Sequence, residues 1–105
     1  MNLDQMTQML MNIAACTDNY CQYLKKDTND YAGILGYVLR VYQDKIRNLS
    51  SQGVALILIY LKDVKEEDYE KHIDAYKDKV DKIIKDSKTV DEQLKKMDKI
   101  KSTIK

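Results

Sequence analysis

The feature of the sequence that most restricts the fold is a run of eight consecutive apolar residues, Val54–Leu61, near the middle of the chain. Its residue types fit either a buried strand or a buried helix, and periodicity does not separate these alternatives. A strand would need a partner for its backbone N–H and C=O groups, and no second segment alternates polar and apolar residues with a period of two. The sequence therefore predicts a buried helix, capped by Ser50 or Ser51 and covered by neighbours on several sides.

The length and composition are typical of one soluble helical domain covering residues 1–105. The chain has no Pro and only three Gly, so few residues interrupt its helices. A run of eight apolar residues is too short to cross a bilayer, which needs about 20. The N-terminus lacks the basic start of a secretory signal, so the expected location is the cytoplasm.

Charge divides the chain into two parts. Residues 1–61 contain five basic and five acidic side chains, whereas residues 62–105 contain 13 and 12. The net charge of +1 gives no reason to expect nucleic acid or an anionic membrane as a general partner. The dense mixture of signs after residue 61 predicts solvated helix faces.

The first predicted helix has a core stripe with alternating spacings of three and four residues. Asn2 and Gln5 form a capping-box pattern at its start, and Lys25 and Lys26 suit its end. The stripe that we expect to face the core consists of Leu3, Met6, Leu10, Ile13, Thr17, Tyr20 and Leu24.

Three more helices are predicted around the central one. The second runs over about residues 30–49, where Ala32 and Gly36 would permit a close helix crossing. A break in register near residues 62–65 predicts a turn before a helix over 66–87, with one continuous helix as the alternative. The last helix begins at Thr89, whose capping-box partner is Glu92. The expected fold is all-α, a small antiparallel bundle of four to five helices with a short, fully apolar central helix.

The residues that could support catalysis or metal binding give no recognisable pattern. His72 is the only histidine, and a half-exposed structural role is favoured over a role as general base beside nearby carboxylates. Cys16 and Cys21 lie about 140° apart around a helix axis, which is poor geometry for a disulfide or a shared metal. We therefore expect no enzyme, no cofactor and no metal site, and an enzyme using His72 is a second alternative.

Excess apolar surface predicts binding to another protein. Met11 and Tyr23 fall outside the stripe of the first helix, and Tyr37 and Val41 fall outside that of the second. Since a small bundle has limited interior, these four residues are the candidate partner interface. The predicted function is a non-enzymatic protein–protein interaction module, either a homo-oligomer or a small subunit, inhibitor or adaptor of a larger assembly. The alternative is a globule that simply covers its own central helix.

Lysines near the C-terminus suggest the first alternative function, association with nucleic acid. From residue 93 to residue 105 there are five Lys against one Asp. The helix before them is acid-rich and the chain has only two Arg, so nucleic acid is not the favoured partner. The candidate phosphate contacts are Lys95, Lys96, Lys99, Lys101 and Lys105.

Overall fold

The computed structural model describes residues 2–105 and confirms the all-α prediction, with no strand in that range. The α-helices are α1 (Leu3–Leu24), α2 (Ala32–Val41), α3 (Gln43–Ile46), α4 (Ser51–Leu61), α5 (Tyr69–Lys77), α6 (Val80–Asp86) and α7 (Val90–Thr103). Two 3-10 turns, Thr28–Tyr31 and Glu66–Asp68, lead into α2 and α5.

The described residues form seven α-helices, against the four to five predicted, because two predicted helices are each interrupted. The helix expected over 30–49 breaks at Tyr42, and the helix expected over 66–87 breaks at Lys79. The backbone of both residues departs from helical values, with φ −117° and ψ 23° at Tyr42 and φ −122° and ψ −22° at Lys79. The turn predicted after the central run is present, since α4 ends at Leu61.

Helix α4 lies at the centre of the packing. Every residue from Gly53 to Leu61 is buried, and α1, α2, α5 and α6 all contact the helix. Burial of each large aliphatic side chain in this run stabilises the fold by about 1.5–3 kcal/mol. Despite its apolarity, neither α4 nor any other helix within residues 2–105 has the length and hydropathy that a membrane span requires.

The caps predicted from the sequence for the starts of α1, α4 and α7 are confirmed. Asn2 and Gln5 form the reciprocal capping box of α1. Thr89 caps α7 by accepting a hydrogen bond from the Glu92 N–H at 3.2 Å, although the Glu92 carboxylate accepts from the Lys88 N–H instead of completing the box. Only one residue in the described range, Lys25, has a left-handed backbone, and it ends α1.

The start of α4 is held by a carboxylate from α6. Ser50 caps the helix by accepting a hydrogen bond from the Gly53 N–H at 2.9 Å. The two oxygens of Asp81 accept from the Ser50 hydroxyl at 2.6 Å and from the Ser50 N–H at 3.0 Å. Glycine at position 53 leaves room for this contact, because a Cβ there would overlap Asp81 Oδ1, lie 3.1 Å from Ser50 Oγ and force the carboxylate to move.

The close helix crossing predicted at Ala32 and Gly36 is wrong. Both residues are exposed, and a Cβ added to Gly36 would meet no other atom within 4 Å. The glycine that permits a close approach is Gly53, which the sequence pattern did not distinguish from a loop residue.

We expect the two glycines to respond in opposite directions to alanine. Gly53→Ala should lower the free energy of unfolding by about 1–3 kcal/mol, because the new methyl group displaces the Asp81 carboxylate from Ser50. Gly36→Ala should raise it by up to about 1 kcal/mol, because alanine is the better helix former and the site is open. Urea denaturation followed by circular dichroism measures both, and equal effects would contradict this account.

Two buried hydroxyls, those of Tyr31 and Ser87, have no hydrogen-bond partner among residues 2–105, whereas the buried Tyr20 hydroxyl both donates and accepts. The Tyr31 ring is buried and its hydroxyl is unpaired. The Tyr20 hydroxyl on α1 donates to Gln93 Oε1 of α7 at 2.6 Å and accepts from Gln52 Nε2 of α4 at 3.1 Å. The Tyr20 hydroxyl therefore connects three helices through a polar contact.

Removing each hydroxyl tests this difference. Tyr31→Phe should raise the free energy of unfolding by about 1 kcal/mol, because an unsatisfied buried group is lost. Tyr20→Phe, the matched control, should lower it by about 1–3 kcal/mol, because Gln93 loses its donor inside the protein. A loss of stability in Tyr31→Phe would mean that its hydroxyl has a partner after all. Thermal and urea denaturation of the two variants provide the measurement.

Candidate interaction surfaces

The first half of α1 exposes the apolar stripe that its second half buries. Ile13 is 0% exposed and Thr17 and Tyr20 are also buried, whereas Leu3 is 77% exposed. Met6 and Leu10, also expected in the core, are exposed as well. The prediction of a buried stripe is therefore wrong for its first three members. We call Leu3, Met6 and Leu10 the α1 face.

The difference in length between α1 and α4 explains this exposure. Helix α1 has 22 residues and α4 has 11, which correspond to about 33 Å and 16 Å along their axes. Helix α4 makes more contacts with α1 than any other pair of elements shares, but it can cover only about half of it. The remaining turns extend past the apolar central helix.

A small cavity adjoins the α1 face. It has a volume of about 220 Å³, and its walls include Leu39 of α2 and Gln43 of α3 opposite Leu3, Met6 and Leu10. The α1 face is therefore one wall of an apolar cleft. Apolar walls of this kind accept aliphatic side chains and offer little to a polar ligand.

The four predicted interface residues occupy different environments. Met11 is 60% exposed, and Val41 is exposed as well. The Tyr23 hydroxyl donates to the Asp91 carboxylate on α7. The Tyr37 ring is half-buried, with edge-to-face contacts to Tyr42 and Tyr69 at centroid distances of 6.1 Å and 5.9 Å. Their role in binding stays a prediction, and Tyr37 also has a structural role.

The five C-terminal lysines do not form one cluster of shared contacts. Lys101 Nζ lies 5.8 Å from the Tyr60 ring centroid, which places it over α4. Lys95 is exposed on α7. The carbonyl oxygen of Lys105 accepts a hydrogen bond from Lys71 Nζ on α5 at 2.7 Å. Only two of the five, Lys96 and Lys99, line a common cavity.

That cavity is a second candidate surface, which we call the lysine groove. It lies between α6 and α7, has a volume of about 510 Å³, and has an apolar floor of Ile83 and Ile100. Two lysines on each side form its rim, together with Asp86. The rim lysines are Lys79, which immediately precedes α6, Lys82 of α6, and Lys96 and Lys99 of α7. Sequence reasoning found the α7 pair but missed the α6 pair, because only the packing of the two helices brings them together.

His72 is buried, not half-exposed as predicted. It is 9% exposed, and its Nδ1 lies 2.9 Å from the Tyr76 hydroxyl, which can donate to it. Burial lowers the pKa of His72, and the ammonium groups of Lys101 and Lys71 lower it further. Burial also raises the pKa of Tyr76 to about 12. The pair is therefore neutral near pH 7 and packs inside the protein.

The side chains that could bind a metal ion do not come together in the described residues. Cys16 and Cys21 are both free thiols, and Cys21 is buried. Within residues 2–105, no three His, Cys, Asp or Glu side chains are placed to hold a metal ion together.

No family model, no curated protein and no solved structure matches this chain.

The lowered pKa of His72 predicts how stability changes with pH. In the unfolded chain His72 titrates near about 6.5, and in the folded protein it takes up a proton only at lower pH. The unfolded chain therefore binds the proton first, and the free energy of unfolding should fall as pH decreases through about 6.5. His72→Gln should remove this dependence between about pH 7.5 and 5.5, because the chain has no other histidine. Urea denaturation at several pH values measures it, and identical slopes for the two proteins would contradict the assignment.

Proposed function

We propose that this chain is a non-enzymatic protein–protein interaction module that self-associates through the α1 face. The observation that supports the proposal is the exposure of Leu3, Met6 and Leu10, which continue the stripe that is buried from Ile13 onward. Exposing an apolar helix face of this kind to water is unfavourable, and burying it against a partner surface would lower the free energy.

A second copy of the chain suits this face better than a charged partner. The only charged side chain from Leu3 to Thr17 is Asp4. At about 100° per residue, Asp4 points away from the α1 face, so two such faces can meet without bringing like charges together. The spacing of three and four residues also fits side-by-side packing of two helices. The apolar cleft beside Leu39 would accept side chains from the second copy.

The small area of the α1 face predicts weak self-association. About three turns of helix are exposed, which is small beside a standard interface of about 1,600 Å². We therefore expect a dimer that dissociates as the protein is diluted through the micromolar range, with about 8 kcal/mol of binding free energy at most.

We also infer that residues 1–105 act as one cytoplasmic domain, with the helices forming a bundle around the short apolar α4. The contacts of α1, α2, α5 and α6 with α4 support a single unit. The nucleic-acid alternative loses support because Lys101 lies over the Tyr60 ring and does not line the cavity that Lys96 and Lys99 share. The alternative of an enzyme using His72 loses support from the burial of that residue against Tyr76.

Light scattering behind size exclusion, over a range of loading concentrations, tests the proposal. The wild-type chain should pass from a monomer of 12.3 kDa to a dimer as concentration rises. The triple variant L3Q/M6Q/L10Q should remain monomeric, with its helix content unchanged because the three side chains are exposed.

Met11→Gln is the matched control, and it also tests whether the interface predicted from the sequence takes part in self-association. Met11 is on the same helix and is also exposed, but it lies well outside the α1 face, so the dimer should persist. A wild-type chain that stays monomeric would contradict self-association and would point to a partner of a different sequence. Equal loss of the dimer in M11Q and in the triple variant would place the interface elsewhere on α1.

A further inference from the structure

We propose that the lysine groove binds a short acidic, amphipathic helix of a protein partner. The groove is separate from the α1 face and does not depend on self-association. It combines two features that one ligand must satisfy together, an apolar floor formed by Ile83 and Ile100 and a rim of ammonium groups on both sides.

The rim is cationic on both sides because each side contributes a pair of lysines three residues apart, Lys79 and Lys82 at the start of α6 and Lys96 and Lys99 on α7. Three of these lysines are exposed, and Lys96 is half-buried. Of these four lysines, only Lys82 forms a salt bridge within residues 2–105, with Asp86 at 3.3 Å. Lys96 Nζ lies 3.4 Å from the Asp86 carbonyl oxygen, a weak contact. Four positive charges therefore face one carboxylate, and an acidic ligand would relieve their mutual repulsion.

The shape of the groove favours a helix. It is an open trough between two helices and not an enclosed cavity, so a single lipid chain would stay largely in water. A helix that places two apolar side chains on the floor can place carboxylates on both flanks, facing the two lysine pairs. Nucleic acid would make no use of the isoleucine floor, and the residues that line the groove include no aromatic side chain for base stacking.

The charge also predicts how binding will behave. Exposed lysines and carboxylates attract each other over distances that salt screens, so the association should weaken as ionic strength rises. The isoleucine floor contributes a part of the affinity that salt does not remove. We therefore expect binding that is weakened, but not abolished, at high salt.

Titration of the 15N-labelled chain with a model peptide, followed by NMR, tests the proposal at residue resolution. The probe is a capped peptide of about 14 residues with Leu at i, i+3, i+4 and i+7 and Glu on both flanks. Shifts should concentrate on residues 79–86 and 96–100. The same peptide with Lys in place of Glu should cause none of these shifts.

Two double variants with equal changes in net charge separate the groove from general electrostatics. Lys82→Glu with Lys99→Glu should weaken peptide binding by about tenfold or more, since each replaces attraction by repulsion. Lys85→Glu with Lys95→Glu changes the same two helices outside the lining of the groove and should leave the affinity within about threefold. All four side chains are exposed, so both variants should fold.

Four results would overturn the proposal. These are an absence of shifts at millimolar peptide, equal weakening in both double variants, equal binding of the lysine peptide, and shifts confined to the α1 face. A single-stranded oligonucleotide or an anionic phosphatidylglycerol vesicle that shifts the groove residues when the peptide does not would assign the groove to a different ligand. Because the triple variant L3Q/M6Q/L10Q can be titrated in the same way, failure of self-association and failure of the groove are distinguishable.

Discussion

The structure depends on the need to cover a helix that has no polar side. Because Gly53–Leu61 is buried in every direction, neighbours must pack around the whole circumference of α4. Straight helices of ordinary length would cover only strips of it. The interruptions at Tyr42 and Lys79 produce short helices whose directions can change, and α5 and α6 both reach α4 in this way. The contact of Asp81 with Ser50 also joins α6 to the start of α4.

The same requirement produces the exposed surface at the other end of α1. Covering an 11-residue helix uses about half of a 22-residue one. The side chains of the second half, such as Ile13 and Tyr20, are buried, and those of the first half, such as Leu3, keep the same spacing without a partner. The apolar surface of the α1 face is therefore a consequence of mismatched helix lengths, and it does not lie on the central helix.

Sequence patterns predicted the features that are local. Period and capping residues indicated an all-α chain, the capping box at Asn2 and the cap at Ser50, because these depend on residues within one turn. They did not separate Leu3 from Ile13, since both belong to one stripe with spacings of three and four residues, although the sequence already predicted a first helix longer than the central one. Burial of His72 and the pairing of Lys82 with Lys99 across a groove depend on how distant helices pack, which periodicity does not contain.

The α1 face is apolar and the lysine groove is cationic, so binding at the two surfaces should respond differently to salt. Contact through the uncharged α1 face depends on apolar burial and should be insensitive to salt, whereas contact through the lysine groove should weaken with it. A dimer formed through α1 would present two lysine grooves at a fixed separation. A partner with two acidic helices could then bind both grooves. Its second helix would bind within the complex already formed by the first, and the gain in affinity would depend on how well the linker between the two helices spans the distance between the grooves. Loss of the α1 face would in that case weaken a divalent acidic partner while leaving a single acidic helix unaffected.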